Sequence, residues 1–210
     1  MLSADAIVEL HDRSTRVWHQ AIEDGFPDRG PVDEWLNAVA RQHRANFDLW
    51  HIEDQARTPG ATDADLAKVK RNIDRTNQQR NDLAEALDCA LLGLLESQQL
   101  PNTRAPLNSE SPGLMIDRLS ILALKIYHTR EETERTDAEP GHAERNLRRL
   151  AILETQRKDL ACCLDELWSE TLAGTRQFKL YRQLKMYNDP SLNPAVYRKV
   201  TGRNPDESNG

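Results

Sequence analysis

A helix-sized string occurs twice in this chain: QRNDLAEALD, starting at Gln79, returns as QRKDLACCLD, starting at Gln156, with seven of ten positions identical. The offset of 77 residues extends without a gap to other positions. Trp50-His51 falls on Tyr127-His128, Asp54 on Glu131, Phe47 on Leu124, Val39 on Ile116 and Arg41 on Arg118. Self-similarity at a fixed spacing constrains a fold strongly, because each copy must bury the same face against the same kind of neighbour. Two related helical hairpins packed about a pseudo-twofold axis satisfy that requirement. The turns do not keep the offset, since Pro59-Gly60 and Pro140-Gly141 stand 81 apart, so the helix lengths differ while the register holds.

Spacing of apolar residues predicts five helices and an arm. Ser3 caps the first, in which Ile7, Leu10, Val17, Trp18, Ala21 and Ile22 recur at helical intervals until Gly25. Pro31 opens the second, which runs to about Arg57 and turns polar in its last three turns. Thr62 with Asp65 reads as a capping box for the third, which continues to about Ser97 with Leu94 on its inward line. Gln98 to Glu110 holds two prolines and no periodicity and forms a crossover loop. Ser111-Pro112 starts a fourth helix that is apolar on nearly every side from Leu119 to Tyr127, so it is expected to be the most buried. The fifth follows Gly141, turns Leu147 inward, and ends at Gly174. The expected architecture is all-α: a four-helix bundle of two hairpins (32–97 and 112–173), an N-terminal helix packed outside it, and a basic C-terminal helix and arm (175–204). One domain then covers 1–204, with a disordered tail at 205–210.

With 38% hydrophobic and 5% aromatic residues and only nine glycines, the 210-residue chain suits one helical core better than a sheet. No stretch approaches the twenty apolar residues of a membrane span, and MLSADAIVELHD has acids where a signal peptide needs an apolar run. Cys89, Cys162 and Cys163 sit in helical patterns with no zinc or disulfide spacing, which points to reduced thiols in a cytoplasmic protein. Charge is uneven: residues 175–204 hold seven cations against Asp189 alone, which leaves residues 1–174 at −10. Such an arm meets either the acidic body or a partner, and self-association through it is one such partnership. Nucleic-acid binding is disfavoured by the acidic body. In the arm Phe178, Tyr181, Leu184 and Tyr187 share one side.

Polar residues present in one copy and replaced in the other point towards function. The first hairpin offers His43, Asn46, His51, Glu53, Asp54, Asp74, Asn77, Asn81 and Asp82 where the second has Ser120, Ala123, His128, Arg130, Glu131, Ala151, Glu154, Lys158 and Asp159. His51 and Asp54 share a helix face, and Asp74, Asn77 and Asn81 form a stripe on the next helix. Two such stripes inside a bundle can build a magnesium or manganese site, with His51, Asp54 and Asp74 as ligands, and hence a phosphohydrolase or pyrophosphohydrolase. Alternatively the acids neutralise Arg57, Arg80, Arg118 and Arg157 in a buried polar layer. A third alternative has Arg80 and Arg157 gripping one anion from two sides. His11, His19 and His142 lie at positions that look exposed. No Gly-rich phosphate loop, nucleophile elbow, HExxH or CxxC pair occurs.

The strings HRANFDLWHIEDQAR, IDRTNQQRNDL, SPGLMIDRLSILALKIYH and MYNDPSLNPAVY together resemble the bacterial family known as domain of unknown function 4254, over about Val32 to Tyr197. Genes of that family stand beside glycosyltransferases of cell-envelope polysaccharide assembly, so the resemblance implies a link to surface glycan synthesis. It assigns no catalytic residues but draws attention to Pro112-Gly113, Asp117-Arg118 and Lys125. The sequence reading is therefore a helical protein that binds an anionic small molecule, a sugar nucleotide or phosphosugar, through Trp50, His51, Glu53, Asp54, Asp74, Asn77, Arg80, Asn81, Asp117 and Arg118. The alternatives are a magnesium-dependent phosphohydrolase and a scaffold for a glycosyltransferase.

Overall fold

The computed structural model describes residues 2–24, 33–184 and 191–194, apart from the side chains of residues 21–24. Among the described residues there are five α-helices: α1 (Ala4–Asp24), α2 (Glu34–Gln55), α3 (Asp63–Glu96), α4 (Pro112–Glu134) and α5 (His142–Leu172). The only β pairing described is an isolated bridge between Leu107 and Gln177. Met1–Leu180 form one compact unit and Tyr181–Gly210 a second.

Local chemistry sets the helix ends. Asp33 accepts a hydrogen bond from the Leu36 amide, so α2 starts at Glu34; the expected Pro31 start lies outside the described residues. Thr62 and Asp65 form the reciprocal capping box of α3, and Ser111 with Pro112 begins α4 as their spacing predicts. Gly141 and Gly174 take φ of +81° and +71° at the two ends of α5.

Two short turns make hairpins of α2 with α3 and of α4 with α5, and the long loop joins them so that α2 and α4 run parallel. Residues 77 apart meet along that line: His43 bonds Ser120, Phe47 packs with Leu124, and the rings of His51 and His128 stand edge to face. The main core gathers Ile7 and Leu10 of α1, Val39 of α2, Leu87, Leu91 and Leu95 of α3, Ile116 and Leu119 of α4, and Leu160, Leu164 and Leu167 of α5. Trp18, Phe47 and Leu124 form a smaller cluster at the other end. Each fully buried leucine there contributes roughly 2 kcal/mol.

Three expectations need correction. First, α1 is not an outer addition: it packs on α2, α4 and α5 and buries Ile7, Leu10, His11 and Trp18. Second, Thr175–Leu184 are not helical. Thr175 and Arg176 instead donate backbone hydrogen bonds to Glu170, Gln177 pairs with the crossover loop, and Phe178 plugs the main core. Tyr181 and Leu184 are exposed, Tyr187 lies outside the described residues, and so does the expected tail at 205–210. Third, Leu94 and Leu147 face solvent, although helical spacing alone places them inward.

The start of α4 lies tight against α3 at Gly113. Buried Asp88 accepts hydrogen bonds from Ser111 Oγ (2.5 Å) and the Gly113 amide (2.6 Å), which holds the first turn of α4 against α3. A Cβ at Gly113 would lie 2.3 Å from the Ala84 carbonyl oxygen and 2.9 Å from the Asp88 carboxyl. Gly93, further along α3, has nothing within 4 Å of its would-be Cβ. Gly113→Ala is therefore expected to cost about 1–3 kcal/mol by overpacking, whereas Gly93→Ala gains up to about 1 kcal/mol of helix propensity. Thermal unfolding followed by circular dichroism checks both; equal melting temperatures for the two variants would contradict the packing account.

Candidate functional site

A buried polar layer separates the two apolar clusters, and Asp117 is its centre. Gln42 Nε2 and Asn46 Nδ2 donate to Asp117 Oδ1 at 2.5 and 2.9 Å. Arg80 closes the carboxylate from α3, with Nε donating to the same oxygen at 2.7 Å and Nη2 to Oδ2. Donating to the Asp117 carboxylate holds the Arg80 guanidinium above its ordinary pKa. Asn46 Nδ2 also donates to Ser120 Oγ (2.9 Å), and Ser120 meets His43 Nδ1 at 2.7 Å. His43 Nε2 faces the His11 carbonyl oxygen (3.1 Å) and Thr15 Oγ1 (2.9 Å). Since a carbonyl only accepts, the proton of neutral His43 sits on Nε2 and Ser120 donates to Nδ1. Side chains of four helices thus join in one chain of hydrogen bonds, and Arg80 is its end nearest solvent.

Five of the six histidines line the seam of α1. His11 and His43 lie 4.4 Å apart between ring centroids, and both nitrogens of fully buried His11 lack a hydrogen-bond partner among the described residues. Further along, the His19 ring lies 5.1 Å from that of His51 and 5.0 Å from that of His128, and it stacks on Tyr127 at 4.3 Å. Burial forces His43 down to about 3 and His11 well below the ordinary histidine range; His51 is lowered by burial and by the neighbouring imidazoles. His11 and His19 are therefore not the exposed residues their spacing suggests, and His142 is half-buried and bonded to Glu132 at 2.7 Å.

Trp50 stacks on His128 at 4.8 Å and 10° and also walls a cleft of about 380 Å³ between α2, α3 and α4. Of the expected site residues, Trp50, Glu53, Asp54 and Arg80 line this cleft, joined by Asn46, Leu49, Arg57, Ile121 and Leu124. Arg57 Nη2 donates to Glu53 at 3.3 Å. The other expected residues go elsewhere. His51 turns to the imidazole seam, Asp74 pairs with Lys70 one turn back on its own helix, and Asn77 and Asn81 are half-buried but outside the cleft lining. Asp117 lies beneath the cleft in the polar layer. Arg118 lies on the next face of α4, in a hollow of about 690 Å³ against α5 that also holds Lys125, and it donates to Glu110 at 2.7 Å. Arg80 and Arg157 do not share an anion: Arg157 bonds Asp12 of α1 at 2.6 Å. Asn46, Leu49, Arg57, Ile121 and Leu124 are the lining residues outside the expected ligand set, although Asn46 stands among the polar residues that distinguish the first hairpin. Asn46, Trp50, Glu53, Asp54 and Arg57 recur at intervals of three and four, and that stripe was the available signal.

A third hollow, about 350 Å³, lies between α1 and α4 on Ala123, Ile126, Tyr127, Arg130, Glu131 and Glu134. These stand 77 residues beyond Asn46, Leu49, Trp50, Glu53, Asp54 and Arg57. There α1 supplies the other wall through Asp12, Thr15 and Arg16.

Two expected outcomes follow from the layer and the seam. Replacing Arg80 by Met strands the buried Asp117 charge and is expected to cost about 3–5 kcal/mol, read as a lowered midpoint in urea unfolding. Histidines kept neutral when folded but titrating near 6.5 when unfolded make stability fall as pH drops below 6.5, by about 1.4 kcal/mol per pH unit for each. Asp88, pushed up to about 6 chiefly by burial, acts in the opposite sense between pH 6 and 4. His11→Phe, which removes an imidazole without hydrogen bonds, is therefore expected to flatten the loss of melting temperature between pH 7 and 4. An unchanged slope would refute this account of the seam.

No curated protein and no solved structure matches the chain. The model of the family described as "Protein of unknown function (DUF4254)" matches residues 36–180, which span α2 to the Phe178 plug and include the cleft and the α2, α3 and α4 members of the polar layer. The chain belongs to that family.

Proposed function

We propose that this protein binds an anionic small molecule, a sugar nucleotide or phosphosugar, in the cleft walled by Trp50, as a cytoplasmic accessory of bacterial cell-envelope glycan synthesis. The observation that supports this reading is the indole of Trp50, backed by His128, in a largely apolar concavity whose rim holds Arg57, Arg80, Glu53 and Asp54. A flat aromatic wall beside a few polar groups is how small-molecule sites take up sugar or base rings. The glycan context comes from the resemblance of the strings around these residues.

The magnesium-dependent hydrolase has less support. Among the described residues no group of three His, Cys, Asp or Glu stands where it could hold a metal ion. Glu53 is engaged by Arg57 and Asp74 by Lys70, so the carboxylates expected to converge do not. The donor set does not fit a hard cation. The scaffold reading depends on the basic arm, most of which lies outside the described residues.

The test is the melting temperature with UDP-glucose and with glucose 1-phosphate, with and without magnesium, for wild type, Trp50→Ala and Asp54→Ala. Ligand at a hundred times its Kd stabilises by about 2.7 kcal/mol, a rise of roughly 5–10 °C for a domain of this size. The expected result is a rise that ignores magnesium and disappears in Trp50→Ala, each variant compared with its own baseline. A rise that requires magnesium and is lost in Asp54→Ala would restore the hydrolase. No rise with either ligand would remove the small-molecule reading.

A further inference from the structure

The cleft walled by Trp50 has its cations already engaged, Arg57 by Glu53 and Arg80 by Asp117. The charged group it leaves uncommitted is Asp54, which forms no ion pair with the described residues. A lone carboxylate beside an indole accepts hydrogen bonds from ring hydroxyls and repels phosphate. The uncommitted cation lies one ridge away. Successive residues of a helix are 100° apart, so on α4 Ile121 sits between the face of Asp117 and Leu124 and the face of Arg118 and Lys125. Ile121 accordingly lines both the Trp50 cleft and the larger hollow against α5. In that hollow Lys125 is exposed and pairs with no described residue, while Arg118 has one nitrogen on Glu110. The acids of the hollow are Glu110, held by Arg118, and Asp159 on the α5 wall, so an anion has to lie on the α4 side beside Lys125.

We propose that the two hollows are one bipartite site, in which a hydroxyl-bearing ring lies on Trp50 and Asp54 and its phosphate crosses the Ile121 ridge to Lys125 and Arg118. This rests on the reading that the Trp50 cleft binds a phosphorylated sugar, and it assigns the two ends of that ligand to different walls. The class recognised is a sugar ring carrying a phosphate or diphosphate. An unattached phosphate group engages the Lys125 side alone.

Calorimetric titration of wild type, Lys125→Met, Asp54→Asn and Asp159→Asn with UDP-glucose, glucose 1-phosphate and inorganic pyrophosphate tests the assignment. The three replaced side chains are exposed, and matching melting temperatures establish that each variant is folded. Lys125→Met is expected to weaken all three ligands roughly tenfold, the loss of one charge-assisted hydrogen bond. Asp54→Asn should weaken the two sugar ligands and leave pyrophosphate unchanged, and Asp159→Asn should tighten all three. If wild type binds UDP-glucose through Trp50 but Lys125→Met binds it equally well, the bipartite site is wrong and the cleft reading survives. If wild type binds none of the three, both fall together.

Discussion

Asp117 gathers donors from three directions onto one carboxylate, two amides of α2 and the guanidinium of α3, while itself belonging to α4. A charge this far from water is tolerable only because every donor is present. The arrangement works as a register key: sliding α2 by one residue against α4 would withdraw Gln42 and Asn46 together and leave the carboxylate facing apolar groups. The main core above and the Trp18 cluster below pack leucines and aromatics that tolerate small shifts, so positional specificity comes from the polar layer between them.

The same layer determines what the surface can offer. Arg80 reaches the cleft with two nitrogens already bound, so it positions the cleft floor and is poorly placed to grip a second anion. That commitment leaves Asp54, beside Trp50, as the charged group of the cleft outside any described ion pair, and Lys125 on the neighbouring face of α4 pairs with no described residue. The imidazole seam plays a related role for α1. Burial lowers the basicity of His11, His43 and His51, so these rings pack as flat, uncharged surfaces between α1, α2 and α4.

Much of the fold was legible because it rests on local signals. The Thr62–Asp65 box, Ser111-Pro112 and the glycines at 141 and 174 are short-range devices whose geometry follows from their own residues. The errors share a cause. His11 and His19 look like surface residues when only their own helix is considered, yet the first is buried and the second half-buried because α1 lies against two helices that also present histidines. Arm residues with helical spacing became an extended plug because Gln177 finds backbone partners in the crossover loop, a non-local pairing that periodicity cannot register. For the site, the stripe on α2 was readable, but the partner of each acid was not. Asp74 found Lys70 on its own helix, and the face of α4 that divides Arg118 from Asp117 is set by 100° of rotation that residue type does not reveal.

The parallel alignment of α2 and α4 has a consequence for how the chain assembles. Contacts within each hairpin join residues close in sequence, whereas His43 with Ser120 and Asn46 with Asp117 close loops of more than seventy residues. Loop-closure entropy makes such pairings late. The expected order is two hairpins forming as local units, followed by their docking, with desolvation of the polar layer as the committing step. A nascent chain released before α4 emerges would hold Arg80 and Asn46 without their carboxylate, and so could not complete the bundle however well its first hairpin had formed.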